Sequence, residues 1–237
     1  MPGIPEDGIA PKNLEDATWT NIQKLVAADI FKNYYKIGAT KTITLTTGEQ
    51  VVMKVASIND GSGLAGTYYP KGTVDFISVD CLKTAYQINS TATNAGGWFS
   101  CDLRKTLNNS ILATLPTDLK NSIIEKTHYR SIGSQSTELR SSSDKLWLPT
   151  NYEVNGEIKS AAANTENENY NNHYLIFAND SARIKHLGTD GSACHWWLSS
   201  SGMGDNNVFN IVSSAGSAYT NTAVTGNYGV PICFRIG

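Results

Sequence analysis

The C-terminal stretch of the chain, residues 195–237, consists of short apolar runs separated by glycine-containing turns. The runs cover residues 208–213, 217–221 and 229–236, which is short for stable helices. β-Branched and aromatic residues in runs of this length favour strands, and the glycines between them favour tight turns. The sequence therefore predicts a strand-rich C-terminal region.

Helical patterns lie mainly upstream of this region. Over residues 18–28, Trp19, Ile22 and Leu25 fall on one face behind Thr18, a residue suited to the N-cap position. The other patterns predict a hairpin at 42–57, a strand at 74–79, a helix at 100–112, a helix opened by Pro116, strands at 127–132 and 145–148, and a short element at 174–178. This order indicates an α+β fold in one domain, with short antiparallel strands and two to four helices.

The first 16 residues differ in composition from the rest. They contain three prolines and two glycines, offer little to bury, and lack the basic and then apolar pattern of a secretory signal. We therefore expect a flexible leader at 1–16 and a folded domain at 17–237. No apolar run approaches the length of a transmembrane helix, so membrane insertion is not expected.

The chain carries little charge. Charged residues make up 17% of it, the net charge is −2, and no basic patch is visible. This balance argues against nucleic acid as a partner.

The four cysteines are too few and too dispersed for a disulfide scaffold. They are Cys81, Cys101, Cys194 and Cys233, and none of them forms a CxxC pair. We expect free buried thiols, and a bridge between Cys194 and Cys233 stays open as an alternative.

Motifs for catalysis or for metal and cofactor binding are missing from the sequence. The four histidines lack zinc-ligand spacing, and no HExxH, GxSxG, P-loop or dinucleotide fingerprint occurs. Glu166 and Glu168 lie in a polar loop where solvation accounts for them, and His195 beside two tryptophans is typical of a packing residue. We expect no catalytic residue, no metal site and no cofactor, and a binding protein rather than an enzyme.

Residues 199–237 contain no Lys, Glu or Gln, although the first 198 residues contain 14 Lys, 9 Glu and 4 Gln. Two explanations compete. Strands and turns disfavour these residue types. Alternatively, mutation of AAC or AAT codons at their adenines yields Tyr, Ser, Thr, Asp, Gly, Val, Ile and others, but never Lys, Glu or Gln.

The same stretch has the composition of an adaptable binding face. Tyr219, Asn221, Thr222, Asn227 and Tyr228 combine large aromatic contact area with small, flexible hydrogen-bonding groups, as antibody paratopes do. A polar surface hairpin without a ligand would show the same mixture.

Several motifs resemble a known family. Residues 195–202 (HWWLSSSG) and 228–236 (YGVPICFRI) are similar to the WWLRSP and GVRPA endings of the DUF6273 proteins of gut bacteria and their phages. Residues 94–98 (NAGGW) and 145–148 (KLWL) resemble the NAGGW and KLFL segments of that family. The chain departs from the family pattern at Ser199, Ser201 and Pro231-Ile232, where the family has Arg, Pro and Arg-Pro.

This resemblance covers roughly residues 17–237 and implies a C-type-lectin-like fold. Similar lectin-fold proteins are variable proteins of diversity-generating retroelements, whose C-terminal segment is rewritten by adenine mutagenesis and, at phage tail tips, binds a host-surface receptor. The resemblance implies a hypervariable segment at about 199–230, an unidentified protein or glycan receptor, and homo-oligomers in a tail fibre as one arrangement. Neither EPN nor QPD occurs, so calcium-dependent sugar binding is not implied.

Scaffold and surface should divide within the C-terminal stretch. The residues expected to anchor strands in the core are Trp196, Trp197, Leu198, Val230 and Phe234. The residues expected on the ligand-binding surface are Asn206, Asn207, Asn210, Ile211, Ser213, Ser217, Tyr219, Asn221, Thr222, Val224, Thr225, Asn227 and Tyr228. Exposed Ile and Val are what random diversification would leave.

Two other functions stay open. A bacterial surface adhesin of the same fold would carry a lipoprotein signal or a large anchoring domain in its full-length gene. A formylglycine-generating-like oxidase, which also has a lectin-like fold, would use cysteines and a metal, and Cys194 and Cys233 lack a recognisable partner set.

Overall fold

The structure, a computed structural model, describes residues 10–157, 169–202 and 205–237. Over these ranges the chain is a mixed α+β fold with antiparallel sheets, as the sequence predicts. The helices are α1 (Trp19–Ala27), α2 (Gly97–Ser100), α3 (Asp102–Thr106), α4 (Leu112–Thr114), α5 (Thr117–Ser122), α6 (Asn151–Asn155) and α7 (Asp180–Arg183). Across the same ranges, no helix has the length and apolar character that crossing a bilayer requires.

The strands are mostly short. They are β1 (Thr40–Thr44), β2 (Gln50–Asn59), β3 (Thr73–Ser78), β4 (Ile123–Ile124), β5 (Lys126–Ser131), β6 (Leu139–Asp144), β7 (Lys185–His186), β8 (Ala193–Cys194), β9 (Trp196–Ser201), β10 (Val208–Val212), β11 (Ala218–Ala223) and β12 (Cys233–Ile236). Short 3-10 helices cover Leu14–Asp16, Phe31–Asn33 and Leu175–Phe177, and a π-helical segment, Leu107–Ile111, joins α3 to α4.

The largest sheet has five strands in the order β1-β2-β3-β12-β4. Its strand β12 is the last of the chain and lies between β3 and β4, with Phe234 opposite Phe76. Trp19 of α1 packs edge-on against both rings, with centroid distances of 5.4 Å to Phe76 and 5.5 Å to Phe234. These aromatic contacts bury the apolar face of α1 on the sheet.

A second sheet, in the order β11-β10-β9, carries the C-terminal region. Strands β9 and β10 are buried along their whole length. All five predicted anchor residues, from Trp196 to Phe234, are fully buried, which confirms them as core residues. A parallel bridge between Trp196 and Gly229 joins β9 to the segment that leads into β12.

Several predicted elements are confirmed within a few residues. The Thr18 hydroxyl accepts a hydrogen bond from the Asn21 amide (3.1 Å) and caps α1. The predicted hairpin corresponds to β1 and β2, and the predicted strands at 74–79 and 127–132 correspond to β3 and β5. The described residues contain more helices than the expected two to four, because one-turn helices such as α2 and α7 show no apolar period in the sequence.

The strand predicted at 145–148 is wrong. The backbone amides of Lys145 and Leu146 donate to the side-chain oxygen of Asn108 (2.9 and 3.1 Å) and not to a neighbouring strand. Trp147 makes an isolated bridge to Cys233, and the paired strand is the more polar β6, opposite β5. An asparagine side chain takes the place of a strand partner here, and the local apolar pattern gives no sign of it.

Residues 10–16 pack against the domain, which corrects the predicted flexible leader over that part. Ala10 and Leu14 are buried, and the Tyr35 hydroxyl donates to the Pro11 carbonyl oxygen (2.8 Å). These contacts depend on tertiary packing, because two apolar residues are too few to form a pattern in the sequence. Residues 1–9 lie outside the described residues.

A charged network lies in the core between β3, β5, α6 and β12. Arg235 binds Asp75 through two hydrogen bonds of 2.6 and 2.9 Å. Lys126 contacts Glu153 (2.7 Å) and Asp75 (3.4 Å), and the Tyr174 hydroxyl lies 3.1 Å from both carboxylates. Because all five side chains are buried, removing one leaves a charge or polar group without its partner.

Glu153 also closes the first turn of α6. Its carboxylate accepts a hydrogen bond from the Thr150 backbone amide (2.7 Å), and its own backbone amide donates to the Thr150 hydroxyl (2.9 Å), so the two residues form a capping box. Burial alone would raise the pKa of Glu153, but the charges of Lys126 and Arg130 outweigh it and lower that pKa from 4.5 to about 2. The ionised carboxylate therefore stabilises the folded state.

Replacing Glu153 by Gln should lower the free energy of unfolding by about 3–5 kcal/mol at pH 7, because Lys126 would stay buried without its nearest carboxylate. The folded-state pKa of Glu153 lies below its unfolded value, so the wild-type protein should lose stability as the pH falls from about 5 toward 2. Chemical denaturation over this pH range measures both effects.

Glu138→Gln, at an exposed position, is the matched control and should change the free energy of unfolding by no more than about 0.5 kcal/mol. The E153Q variant should lose less stability than the wild type on acidification, since it lacks the titrating carboxylate. Equal acid sensitivity in the two proteins would show that another group is responsible.

Candidate ligand-binding surface

The candidate surface surrounds the hairpin formed by β10 and β11. Residues 205–207 and 223–228 lie together at one end, where the Val224 amide donates to the Asn207 carbonyl oxygen (2.9 Å). These two segments are called the loop surface below. The turn at 213–217, called the far turn, lies at the other end of the five-residue strand β10, about 17 Å away.

The loop surface holds most of the exposed residues among those predicted. Asn206, Thr225 and Asn227 are exposed, and Asn207 and Tyr228 are half-buried. The structure thus brings together five of the predicted residues from two separate segments of the chain.

Ser213 and Ser217 lie in the far turn and are not part of this group. The Ser213 amide donates to the Ser217 carbonyl oxygen (3.0 Å), and the Ser217 amide donates to the Ser213 hydroxyl (3.1 Å). Gly216 has a φ of +83°, and a Cβ there would overlap the carbonyl oxygen of Asp180. The Ser213 hydroxyl therefore helps to hold the far turn, and position 216 requires glycine.

Asn210, Ile211 and Val224 are buried, so the exposure predicted for them is wrong. Strand β10 is the central strand of its sheet, and other elements cover both of its faces. The Asn210 side-chain oxygen accepts a hydrogen bond from the Asn151 side chain of α6 (3.0 Å). The Val224 carbonyl oxygen accepts one from the Ile88 amide (3.0 Å). The prediction assumed a strand with one face in solvent.

Tyr219, Asn221 and Thr222 lie on β11, the edge strand of the sheet, and their backbones pair with β10. Their side chains lie outside what the structure describes. Their part in ligand binding stays a prediction.

Asn94, in the NAGGW segment, fixes the start of the loop surface. It is fully buried, and its side-chain amide donates to the carbonyl oxygens of Asp205 (3.1 Å) and Val208 (3.0 Å). Its side-chain oxygen accepts from the Ser134 amide (2.8 Å), and its backbone amide donates to the Asn206 carbonyl oxygen (2.7 Å). One residue thus satisfies backbone groups of two loops and holds them together.

Two glutamines from outside the C-terminal stretch border the loop surface, and the sequence did not indicate either. Gln135 donates to the Asn206 side-chain oxygen (3.3 Å), and Gln87 donates to the Thr225 carbonyl oxygen (2.7 Å). Both residues are exposed. They lie 71 and 138 positions from their partners, so only the tertiary arrangement brings them there.

Tyr228 joins the loop surface to the core. Its ring packs edge-on against Trp197, with centroids 5.0 Å apart, and against His195, at 5.7 Å. Its backbone pairs with Tyr86, whose carbonyl oxygen also accepts the indole N–H of Trp197 (2.8 Å). His195 is itself exposed, so the packing role predicted for it is limited to this ring contact.

Residues 199–201 begin the segment predicted to vary, but they are buried in β9. The Arg130 guanidinium donates to the Ser199 hydroxyl (3.1 Å), and the Asn151 backbone amide donates to the Ser200 hydroxyl (2.9 Å). The serines therefore belong to the scaffold, and the candidate surface begins at residue 205.

The loop surface is nearly free of charge, because Asp205 is the one charged residue between positions 205 and 228. A pocket of about 430 Å³, lined by residues 48–50, Lys83 and 187–191, lies elsewhere on the molecule. Within the described ranges, no group of three or more His, Cys, Asp or Glu residues could hold a metal ion, and residues 158–168 with Glu166 and Glu168 are outside them. The chemistry offered by the loop surface is neutral hydrogen bonding and aromatic contact.

A family model described as a domain of unknown function (DUF6273) matches residues 72–237. The chain belongs to the DUF6273 family. The DUF6273 match begins just before β3 and includes the whole loop surface, the far turn and both strands that flank them. No curated protein and no solved structure matches the chain.

Part of the fold precedes the DUF6273 match. Helix α1 and strands β1 and β2 lie before residue 72, yet β2 pairs with β3 from Met53 to Asn59. The contacts of Trp19 with Phe76 and Phe234 likewise join α1 to strands inside the match. The preceding segment therefore completes the five-stranded sheet of this DUF6273 protein.

Replacing Asn94 by Asp should loosen the loop surface, because a carboxylate cannot donate to the carbonyl oxygens of Asp205 and Val208. A buried acceptor left unpaired costs about 1–3 kcal/mol, so the free energy of unfolding should fall by about 2 kcal/mol or more. Hydrogen exchange at residues 205–208 should accelerate more than exchange in β1–β3.

Asn109→Asp is the matched control, since Asn109 is exposed and its side chain donates to the Lys105 carbonyl oxygen (2.9 Å) on the helix surface. It should leave exchange at 205–208 unchanged. An N94D variant whose exchange rises equally in every strand would contradict a local positioning role.

Proposed function

We propose that this DUF6273 protein is a non-enzymatic receptor-binding protein with a diversified C-terminal surface, used by a phage for attachment to its host. The proposal rests on the positions within residues 199–237 at which Lys, Glu and Gln are absent. In the buried strands β9, β10 and β12, burial accounts for their absence. Burial does not account for it in the loop surface and the far turn, which contain exposed positions.

The low preference of strands for Lys, Glu and Gln does not account for their absence from the loop surface and the far turn either. The loop surface and the far turn consist mainly of loops and turns, which favour Gly, Asn and Ser but do not exclude Lys, Glu and Gln from exposed positions. Other exposed loops and turns of this chain carry them, at Lys36, Lys83, Gln87 and Gln135. Adenine-directed mutation of Asn codons would produce this gap without a structural cause, which is why we favour diversification.

The arrangement would tolerate such changes. The backbone carbonyl oxygen of Asn206 accepts a hydrogen bond from the Asn94 backbone amide, and that of Thr225 accepts one from the Gln87 side chain. Both donors lie outside the C-terminal stretch. Substituting the side chain of Asn206 or Thr225 leaves those bonds in place. A binding surface whose backbone is fixed by other parts of the chain can change its side chains without unfolding.

The partner proposed is a protein or glycan on the host surface. A nearly uncharged surface of Asn, Thr, Ser and Tyr recognises its ligand by hydrogen bonds and aromatic contacts and not by long-range attraction. We expect modest affinity for one copy, raised by several copies in a homo-oligomeric tail fibre.

The proposal includes a C-type-lectin-like fold, which the motif resemblance supports. The NAGGW segment provides both Asn94, at the loop surface, and Trp98, in the core, whose indole N–H donates to Asp144 (2.9 Å). A bacterial surface adhesin of the same fold would use the same surface, and the genetic context separates the two.

Sequencing the locus in a series of isolates tests the diversification directly. We expect a nearby reverse transcriptase gene and a repeat that differs from codons 195–237 only at adenines. Differences between isolates should fall in the loop surface, in β11 and in the far turn outside Ser213 and Gly216. If residues 195–237 are invariant among isolates and no such repeat is found, the diversification part of the proposal is wrong.

Binding is tested with a variant carrying Asn206→Ala, Thr225→Ala and Asn227→Ala. Because these three side chains are exposed, folding should be unaffected, whereas binding to host cells should fall at least tenfold, or about 1.4 kcal/mol. Melting curves and cell-binding titrations of the full chain measure the two quantities.

The matched control replaces two asparagines and one threonine at exposed positions of other elements: Asn33→Ala, Thr47→Ala and Asn121→Ala. It should bind as the wild type does. If both triple variants bind host cells equally well, the loop surface is not the receptor site.

A further inference from the structure

Two of the four cysteines lie side by side beneath the start of β9. All four are free thiols, as expected, but Cys81 is buried and Cys194, on β8, is half-exposed. A Cβ built on Gly229 would lie 2.6 Å from the Cys81 sulfur and 2.7 Å from the Cys194 sulfur. Since these two distances add to 5.3 Å, the sulfurs are no farther apart than that. The missing side chain of Gly229 leaves the room that the two thiols occupy.

The surroundings shift the pKa values of the two thiols in opposite directions. A hydrogen bond from the Cys81 thiol lowers the pKa of Cys194, burial and Asp80 oppose this, and the charge of Lys185 adds to the lowering. Burial raises the pKa of Cys81 well above its ordinary value. Cys194 is therefore the more accessible and more acidic thiol of the pair, and Cys81 is its buried neighbour.

Lys185 is fixed next to this pair by the fold. It lies directly opposite Cys194 in the pairing of β7 with β8. Its ammonium group is buried and donates to the carbonyl oxygens of Ser78 (2.5 Å) and Val79 (2.8 Å). A fixed cation beside a half-exposed thiol favours its thiolate.

The other two cysteines lack these features. Burial raises the pKa of Cys101 to about 12, and it raises the pKa of Cys233 well above its ordinary value. Both are buried, so a reagent in solution does not reach them in the folded protein. They serve as internal controls for the reactivity of Cys194.

We propose that Cys81 and Cys194 form an oxidisable pair, which a small-molecule disulfide such as glutathione disulfide converts into an intramolecular disulfide bond. Cys81, rather than Cys233, is the partner of Cys194. This modification site goes beyond the proposed function and does not depend on it.

The reaction proceeds by two exchanges. The Cys194 thiolate attacks one sulfur of glutathione disulfide, which forms a mixed disulfide and releases one glutathione thiolate. Cys81 then gives up its proton to that thiolate and attacks the Cys194 sulfur, which releases the second glutathione. Two protein thiols are oxidised and one glutathione disulfide is reduced to two glutathione molecules.

The disulfide would restrain the backbone next to Gly229, where the chain passes from the loop surface into the core. The Gly229 amide donates to the His195 carbonyl oxygen (2.8 Å), and its own carbonyl oxygen accepts from the Trp197 amide (3.0 Å). A crosslink between Cys81 and Cys194 closes a long loop beneath this glycine. It should therefore raise the melting temperature without altering the loop surface.

The test is oxidation of the full chain with glutathione disulfide, followed by alkylation under denaturing conditions and peptide mass mapping. We expect one disulfide, joining the peptides that contain Cys81 and Cys194, with Cys101 and Cys233 both alkylated. The oxidised protein should melt at a higher temperature than the reduced protein.

Three variants separate the two exchanges. Cys81→Ser should stop the reaction at the mixed disulfide, so that one glutathione stays on Cys194. Cys194→Ser should slow consumption of glutathione disulfide at least ~10-fold, because the accessible thiolate is gone. Cys233→Ser, a matched substitution of a buried thiol, should form the disulfide as the wild type does.

A stable mixed disulfide on wild-type Cys194, a Cys194–Cys233 crosslink, or an unoxidised Cys194 would each overturn the proposal. If a variant does not fold, the wild-type peptide map alone still decides between these outcomes. None of these measurements involves a receptor. A negative result for the disulfide therefore does not affect the proposed receptor binding, and a negative result for receptor binding does not affect the proposed disulfide.

Discussion

The buried pairing of Asp75 with Arg235 is the interaction on which the rest of the structure depends. Arg235 lies on the last strand, β12, and Asp75 on its neighbour β3, while Lys126 and Glu153 extend the network to β5 and α6. A buried charge must be paired, so β12 cannot leave its place without exposing uncompensated charges in the core. The chain after the candidate surface is therefore held as firmly as the chain before it, where β9 is buried.

This double anchoring explains how one stretch of sequence can serve as scaffold and as surface. Between β9 and β12 the chain makes the hairpin of β10 and β11, and the residues that the structure describes as exposed there lie toward the two ends of that hairpin. Asn94 and Gln87 fix the backbone at the loop surface from outside the stretch. Side chains at Asn206, Thr225 and Asn227 are then free to differ, because the backbone does not depend on them.

Local patterns in the sequence predicted those features that depend on neighbouring residues. Helix α1 shows an apolar period and a cap, and the buried tryptophans of β9 lie in a continuous apolar run. The burial of Asn210 could not be predicted, since it depends on Asn151 of α6 covering the second face of β10. The border formed by Gln87 and Gln135 depends on loop packing across long stretches of chain, which no local pattern encodes.

A saturation scan of residues 196–236 for protease resistance measures whether the fold depends on the side chains of the loop surface. Nearly all substitutions at Asn206, Thr225 and Asn227 should leave the protein as resistant as the wild type. Substitutions at Trp197 and Phe209, both fully buried, should abolish resistance. Equal sensitivity at exposed and buried positions would show that the fold depends on the side chains of the loop surface.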